Sequence, residues 1–531
     1  MKRRLPLLAL TIAASLGLAA CDNSSSGSAS SGTPQSGGTL TFAVGSDQGC
    51  ADPQQVGSND SIYSLRQTVD SLTDQDPNTG KIVPWLAQSW EVSPDAKTFT
   101  FHLKAGATFS DGTPVNAQAV KADFDAVPSL GVKAQLAIGY LSGYAGSKVI
   151  DDSTVAVSFE QPNAQFLQAS STFSLGLVSP ASAKKTPDQR CTDGVIGSGP
   201  FVLDKYVANQ STTLSKRKGY DWGSSLWKKK GEAYLDKLVF KVVPEAGVRS
   251  GSLQSGQVDA IGSVGLADES ALKGGGVDLK SRANPGIVFA LSFNNARPIA
   301  QDNAVRQAIL TAIDRQQIVE TVFPTGSKPA TSILAHTTPF YDDLGSKLGF
   351  DQAKAKALLD AAGWKPGGDG IRAKNGKRLS LTVSWGANAG TNQPSLELIQ
   401  QQLKGVGIEI KLKEFQISQF PALLKSGNFD AVWGNATRAD PDILRSSFST
   451  KLANFYRVPP SGLDQVLAGE AATVDTTKRQ ARASQAQELI VENAYAIPVV
   501  ELTTELGVSK QVHDLNFEAS SRIQLHDTWK G

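Results

Sequence analysis

Polar and apolar positions alternate along residues 39–44, "TLTFAV", and again along 153–162, "STVAVSFEQP". A period of two puts successive side chains on opposite faces of a strand. Further strands are predicted at 212–215, 237–243 and 287–293. Between 98 and 124 the period changes. "TFTFHL" reads as a strand and "SDGTP" as a turn broken by Gly112 and Pro114, and the stretch after Asn116 reads as a helix that Asn116 caps. The clearest helical stripe is 302–318, where Val305, Ala308, Ile309, Ala312 and Ile313 recur at three- and four-residue spacings. Beyond it the pattern predicts a helix at 352–362 stopped by Gly363, a strand at 379–385, a helix at 395–404 and a strand at 407–415. A helix at 417–426, a strand at 429–433, a long helix at 476–493 and a strand at 496–502 complete the series. Strands and helices alternate in both halves, which predicts α/β lobes rather than a sandwich or a bundle.

The first 38 residues obey a different rule. Lys2, Arg3 and Arg4 precede an uncharged, apolar or small stretch from Leu5 to Ala20. This is the layout of an export signal, too short for a comfortable membrane span. Residues 22–38 are nearly all Ser, Gly, Asn, Thr, Pro and Gln, a composition that cannot bury enough apolar surface to fold and behaves as a leash. Cys21 sits on the seam. "LAAC" at 18–21 is similar to a bacterial lipobox, in which the cysteine is lipidated and becomes the new N-terminus. The resemblance implies a lipoprotein signal peptide at 1–20, a tether at 21–37 and lipidation at Cys21; an ordinary signal peptide with an incidental cysteine is the alternative. More than one acyl chain makes such anchoring stable.

Composition adds limits. The 531 residues suffice for several domains, and 40% hydrophobic with 19% charged residues describes an ordinary globular chain. Removing Lys2, Arg3 and Arg4 takes the formal net charge from +2 to about −1, so nothing electrostatic invites nucleic acid. Cys50 and Cys191 remain beside the anchor, an even pair in an oxidising compartment. They form either a disulfide or two separate buried thiols. The chain has no Gly-x-Ser-x-Gly elbow, no His-Glu-x-x-His and no P-loop. Its four histidines, His102, His336, His513 and His526, share no metal-like spacing, and its one methionine is Met1. No catalytic residue, metal ligand or cofactor is therefore assigned.

Several longer stretches point to a family. "GGTLTFAV" (37–44), "DPNTGKIVPWLAQSWEVSPDAKTFTFHLKAGATFSDGTPVNAQAV" (76–120), "GSGPF" (197–201), "LQSGQVDA" (253–260), "FNNARP" with "DNAVRQAILTAIDRQQIV" (293–319) and "AKALLDAAGW" (355–364) occur in one order. In them the chain resembles the extracellular solute-binding proteins of family 5, the oligopeptide, dipeptide and nickel group of ABC importers. The resemblance implies an α/β periplasmic-binding-protein fold of type II, two lobes around a cleft with an extra subdomain in the first. It places lobe I at 38–70, 195–292 and 495–531, the extra subdomain at 71–194 and lobe II at 293–494. The lobe crossings are expected near 292–297 and 494–500. A monomer is expected that captures a peptide, closes, and delivers it to a permease powered by separate ATPase subunits. The alternatives are a metal chelate, sugar or modified peptide as cargo, or a peptide-signal receptor on the same fold.

"FDAVWGNATRADPDILRSS" (429–447) is the stretch that bears on the ligand. In peptide-binding relatives the matching segment offers a strand edge to the peptide backbone. By position, residues 431–435 with Asn435 would be that edge, and Trp433 a wall or plain core. Those relatives usually carry an aspartate about three residues after the tryptophan, for the ligand's ammonium group; here Ala436 and Thr437 stand there. Asp440 either substitutes or caps a helix, and Arg438 either grips a carboxylate or pairs with a neighbouring acid. Ser46 and Asp47 follow the first strand, where α/β folds place ligand loops. Asn294 and Asn295 sit at the expected crossing, and either touch ligand or satisfy backbone groups.

Overall fold

The computed structural model describes residues 32–531 apart from 387–388, 417–418 and 453. The export segment, Cys21 and most of the tether lie outside the described residues. Three sheets organise the rest. The largest has seven strands in the order Val277–Ala283, Thr503–Ser509, Ala260–Gly262, Thr39–Val44, Lys237–Val242, Ser211–Lys216, Phe201–Val207. Thr39–Val44 is central and parallel to both neighbours. Its alternation divides the core: Leu40, Phe42 and Val44 pack with Leu238, Phe240 and Leu506, while Ala43 joins Leu253, Val258 and Ile261 on the other face.

The second sheet runs Glu409–Phe415, Ser380–Gly386, Ala431–Thr437, Gly286–Phe293, Ala496–Val500. All eight residues of Gly286–Phe293 are buried, as a strand covered on both faces requires. The helix expected at 302–318 packs on this sheet as two helices, Asn303–Ala312 and Arg315–Val322. Ile313 breaks it with an extended backbone, φ −92° and ψ 116°, and the Asp314 side chain then accepts from Gln317 N at 3.0 Å to cap the second helix. Ile313 stays in the apolar core on either side of the break, so periodicity alone does not reveal it.

A four-stranded antiparallel sheet, Ala87–Val92, Thr98–Leu103, Thr154–Phe159, Tyr144–Asp151, lies within 71–194. Helix Ala117–Ala126 covers it, and Asn116 Oδ1 accepts from Ala119 N at 2.9 Å as its N-cap. Its core also draws in Tyr220, Trp222 and Trp227 from beyond residue 194. The "GSGPF" turn is packed too tightly for side chains: a Cβ on Gly197 would lie 1.9 Å from Thr68 O, and one on Gly199 2.4 Å from the Thr68 carbonyl carbon. These glycines serve close backbone approach.

The chain leaves the seven-stranded sheet at Ala283 and enters the five-stranded sheet at Gly286. It leaves again at Val500 and returns at Thr503. The crossings are therefore Asn284–Pro285 and Glu501–Leu502, which moves both away from 292–297 and 494–500 and shifts the boundaries drawn at 292/293 and 494/495. The apolar runs at 287–293 and 496–502 mark strands but do not say which sheet receives them. The two crossings lie side by side: Asn284 N donates to Leu502 O at 2.7 Å, and Thr504 Oγ1 donates to Asn284 Oδ1 at 2.7 Å.

Candidate ligand site

Strand Ala431–Thr437 leads into the junction between the sheets. Its first half is paired on both sides, with Val383 to Trp385 in parallel and with Leu291 to Phe293 antiparallel. Among the described residues the parallel pairing ends at Trp433. Among the described residues, 434–437 have no strand partner on that edge, and they are half-buried. The available edge is thus 434–437 rather than 431–435. Opposite it the partner strand bulges: Ala290 faces Gly434 and Ile287 faces Ala436, so Val288 and Phe289 share Asn435. The Asn435 side chain makes no hydrogen bond among the described residues. Trp433 is buried in the core, its ring stacked on Phe289 with centroids 5.3 Å apart and its Nε1 donating to Asn392 Oδ1 at 3.1 Å.

The next residues hold a compact charge cluster. Asp440 is buried and takes a bidentate bond from Arg479, Nη2 to Oδ1 at 2.6 Å and Nη1 to Oδ2 at 2.9 Å. Asp442 takes the Arg445 guanidinium in the same way. Glu470 also lies 2.6 Å from Arg479 Nη2, but Asp440 holds the aligned fork. Burial and the two neighbouring aspartates push the Glu470 carboxyl up. Of the cluster's cations, Arg438 stands furthest from its acid, Asp442 at 3.8 Å.

Arg438 reaches instead across the junction. Its Nη1 donates to Gln165 Oε1 at 3.1 Å, and its guanidinium lies 4.6 Å from the Tyr140 ring centroid. Nearby, Gln75 Nε2 donates to Ala439 O at 3.1 Å and Ala164 N to Ala471 O at 2.9 Å. Gln165 and Tyr140 belong to the 71–194 stretch, so the end of the second sheet is pinned against the four-stranded unit. On the far side of the crossings Thr325 donates from its N and Oγ1 to Glu269, at 2.6 and 2.5 Å.

A profile of the bacterial extracellular solute-binding proteins, family 5, matches residues 81–454. The chain belongs to this family. It is 26% identical over 435 residues to the nickel-binding periplasmic protein of Escherichia coli K12, covering 79% of this chain and 81% of that protein. It is likewise 26% identical over 499 residues to the dipeptide-binding protein of the same organism, covering 87% and 90%. The crystal structure of NikA from Brucella suis in complex with Fe(III)-EDTA superposes with a TM-score of 0.79 at 24% identity, covering 93% of this chain and 100% of the other.

In this family 5 protein the two large sheets are the cores of the two lobes of a type II periplasmic-binding fold, and the family is one of binding proteins, not enzymes. Among its described residues no helix is long and apolar enough to cross a membrane, and no three His, Cys, Asp or Glu side chains gather as a metal site. Asp47 is tied into lobe I: its Oδ2 accepts from Tyr206 Oη at 2.6 Å and Asn209 N at 2.9 Å, its Oδ1 from Ser61 Oγ at 3.1 Å. Ser46 Oγ donates to Asp60 at 2.9 Å. Asn294 and Asn295 are not at a crossing. They end strand Gly286–Phe293 on the opposite side, about 26 Å from it at roughly 3.3 Å per residue. There Asn294 Nδ2 donates to Gly427 O at 2.8 Å and Asn295 Nδ2 to Tyr456 O at 3.0 Å, so both satisfy backbone groups. Cys50 and Cys191 stand at disulfide distance, with Cα atoms 4.1 Å apart.

Sequence reasoning missed Tyr140, Gln165 and Arg522. Arg522 is buried, its Nε donating to Asn59 Oδ1 at 3.2 Å and its guanidinium lying 5.3 Å from the Phe173 ring. It lies in the C-terminal tail, in "SSRIQLHD", outside every stretch that carries the family likeness, and no local pattern singles it out.

Proposed function

We propose that this family 5 protein is a lipid-anchored capture component of an ABC importer, holding a peptide-like solute between its lobes and presenting the closed form to a membrane permease. The observation that carries the reading is the contact of Arg438 with Gln165 and Tyr140, which joins lobe II to the subdomain of lobe I beside the free edge at 434–437. That edge offers main-chain donors and acceptors to an extended backbone, and main-chain bonds tolerate many side chains. The curated dipeptide-binding relative supports the peptide class; the nickel-binding relative keeps a non-peptide cargo as the second reading. With Asp440 committed to Arg479, the second reading gains weight for any peptide that needs its ammonium group met. Cys21 anchors the protein outside the cytoplasm, and the Cys50–Cys191 pair suits an oxidising compartment.

Native mass spectrometry of the mature chain carrying C21S, purified without denaturation, tests the cargo. Retained masses forming a series of short peptides are expected. One uniform non-peptide mass overturns the peptide class and leaves the importer role standing. In cells, C21S is expected to move the protein from the membrane fraction to the soluble one.

A further inference from the structure

Two guanidinium groups converge on the lobe junction with carboxylates that other arginines hold: Asp442, 3.8 Å from Arg438, is bonded by Arg445, and Glu518, near Arg522, by Arg66. Arg438 comes from lobe II and covers the ring of Tyr140. Arg522 comes from the C-terminal segment of lobe I and covers the ring of Phe173. Helix Gln135–Tyr140 packs on the 3-10 turn Phe173–Leu175, so the two cations sit on one aromatic ridge. Arg522 is 6% exposed, and among the described residues no carboxylate stands within ion-pair distance of it. It spends Nε on Asn59 Oδ1 and Nη1 on Ser520 O at 3.4 Å, a long bond, and its Nη2 has no partner. Arg438 gives only Nη1 to hydrogen bonds, with Gln165 and Ser446, which leaves Nε and Nη2 free. The Tyr140 hydroxyl has no partner either.

The acids around this ridge are already engaged. Asp440 is held by Arg479 and Asp442 by Arg445. Glu518 accepts from Arg66 Nε at 2.9 Å. Asp60 accepts from Ser46, with Arg249 close enough to act on it electrostatically. A buried guanidinium without a counter-charge is costly, whereas a bidentate carboxylate satisfies both its charge and its paired N–H groups. A buried ammonium placed in the same junction would meet two cations, and Glu470, the remaining acid of the cluster, is drawn to Arg479 at 2.6 Å.

We propose that the ligand is recognised here by a carboxylate, gripped between Arg522 of lobe I and Arg438 of lobe II with the Tyr140 hydroxyl beside it, and that a free amine is not required. The substrate class is a carboxylate-bearing solute with a capped or absent ammonium group, such as an acylated peptide or an organic acid. Because the two arginines come from different lobes, the anion itself draws the lobes together. This rests on the capture reading above.

The test uses the mature chain carrying C21S and one small-molecule extract divided into three portions: untreated, acetylated at its amines, and amidated at its carboxyls with methylamine. The shift in thermal midpoint is read for each. The untreated and acetylated portions are expected to stabilise the protein equally, and the amidated portion to lose at least nine-tenths of the shift. Arg522→Gln should abolish the shift from the untreated portion, and Arg522→Lys should restore part of it, with the ligand-free melting of both variants recorded as the folding control. A shift that survives amidation and disappears on acetylation overturns the proposal while leaving solute capture intact. No shift from any portion overturns solute capture, and the proposal with it.

Discussion

Asp440 offers both carboxylate oxygens to Arg479, at 2.6 and 2.9 Å, and keeps none for a ligand. Asp440→Asn is therefore expected to cost stability, about 3 kcal/mol in urea melts as for other broken buried pairs, while preference between free and acetylated amines stays as it was. A second residue answers to pH. Asp123 is fully buried, accepts from Gln54 Nε2 at 3.0 and 3.1 Å, and is pushed up to about 7 by burial. Its folded pKa lies above its unfolded one, so its stabilising effect is complete below about pH 4 and is lost as pH rises towards 7. A shift from 3.8 to about 7 corresponds to ~4 kcal/mol. Asp123→Asn should flatten that part of the stability profile, measured by urea melts between pH 4 and 8; an unchanged slope would place the titration elsewhere. At this scale the sequence was half legible. It named Arg438 and Asp440 as the charged pair to watch. It could not supply Arg479, 39 residues further on, which decides what Asp440 does. Nor could it supply Tyr140 and Gln165, which meet Arg438 only through the fold.

The strands and helices were read more securely, because their signals are local. Thr39–Val44 is one strand with the bounds its alternation gave, and Asn116 caps its helix. The single helix expected at 302–318 is two, since an apolar stripe persists through an extended residue that stays buried. Sheet membership was the harder property: an apolar run such as Gly286–Phe293 suits a buried strand in either lobe, and only its partners Ala431–Thr437 and Ala496–Val500 settle the matter. Gly286 fixes where that strand begins. Its φ is 111°, and a Cβ there would lie 2.3 Å from Ala436 O and 2.6 Å from Arg438 N. Gly286→Ala should thus displace the 434–437 edge, weakening solute binding at least tenfold in titration calorimetry and lowering the thermal midpoint.

At the scale of the molecule, two adjacent crossings leave closure as the main freedom of the lobes. Gln165→Ala removes the acceptor that meets Arg438, so the ligand-free protein should show a larger radius of gyration in solution scattering, with bound solute restoring the smaller value. The Cys50–Cys191 pair lies within lobe I and its subdomain, beside the buried pair of Asp52 with Arg190 at 2.8 Å. Replacing both cysteines by serine should cost about 2–5 kcal/mol in urea melts and leave closure unaffected. The crossings also carry a consequence for assembly in time. All five strands of the lobe II sheet fall between Gly286 and Val500, one uninterrupted stretch of chain. The sheet of lobe I, by contrast, has its last strand, Thr503–Ser509, wedged between Ala260–Gly262 and Val277–Ala283. As the chain emerges N-terminus first during export, lobe II has every strand it needs before lobe I can close its own sheet. Lobe I must wait, with the edges of two strands bare, until the final residues arrive. A chain cut after residue 502 would strand lobe I in that state while lobe II stands complete.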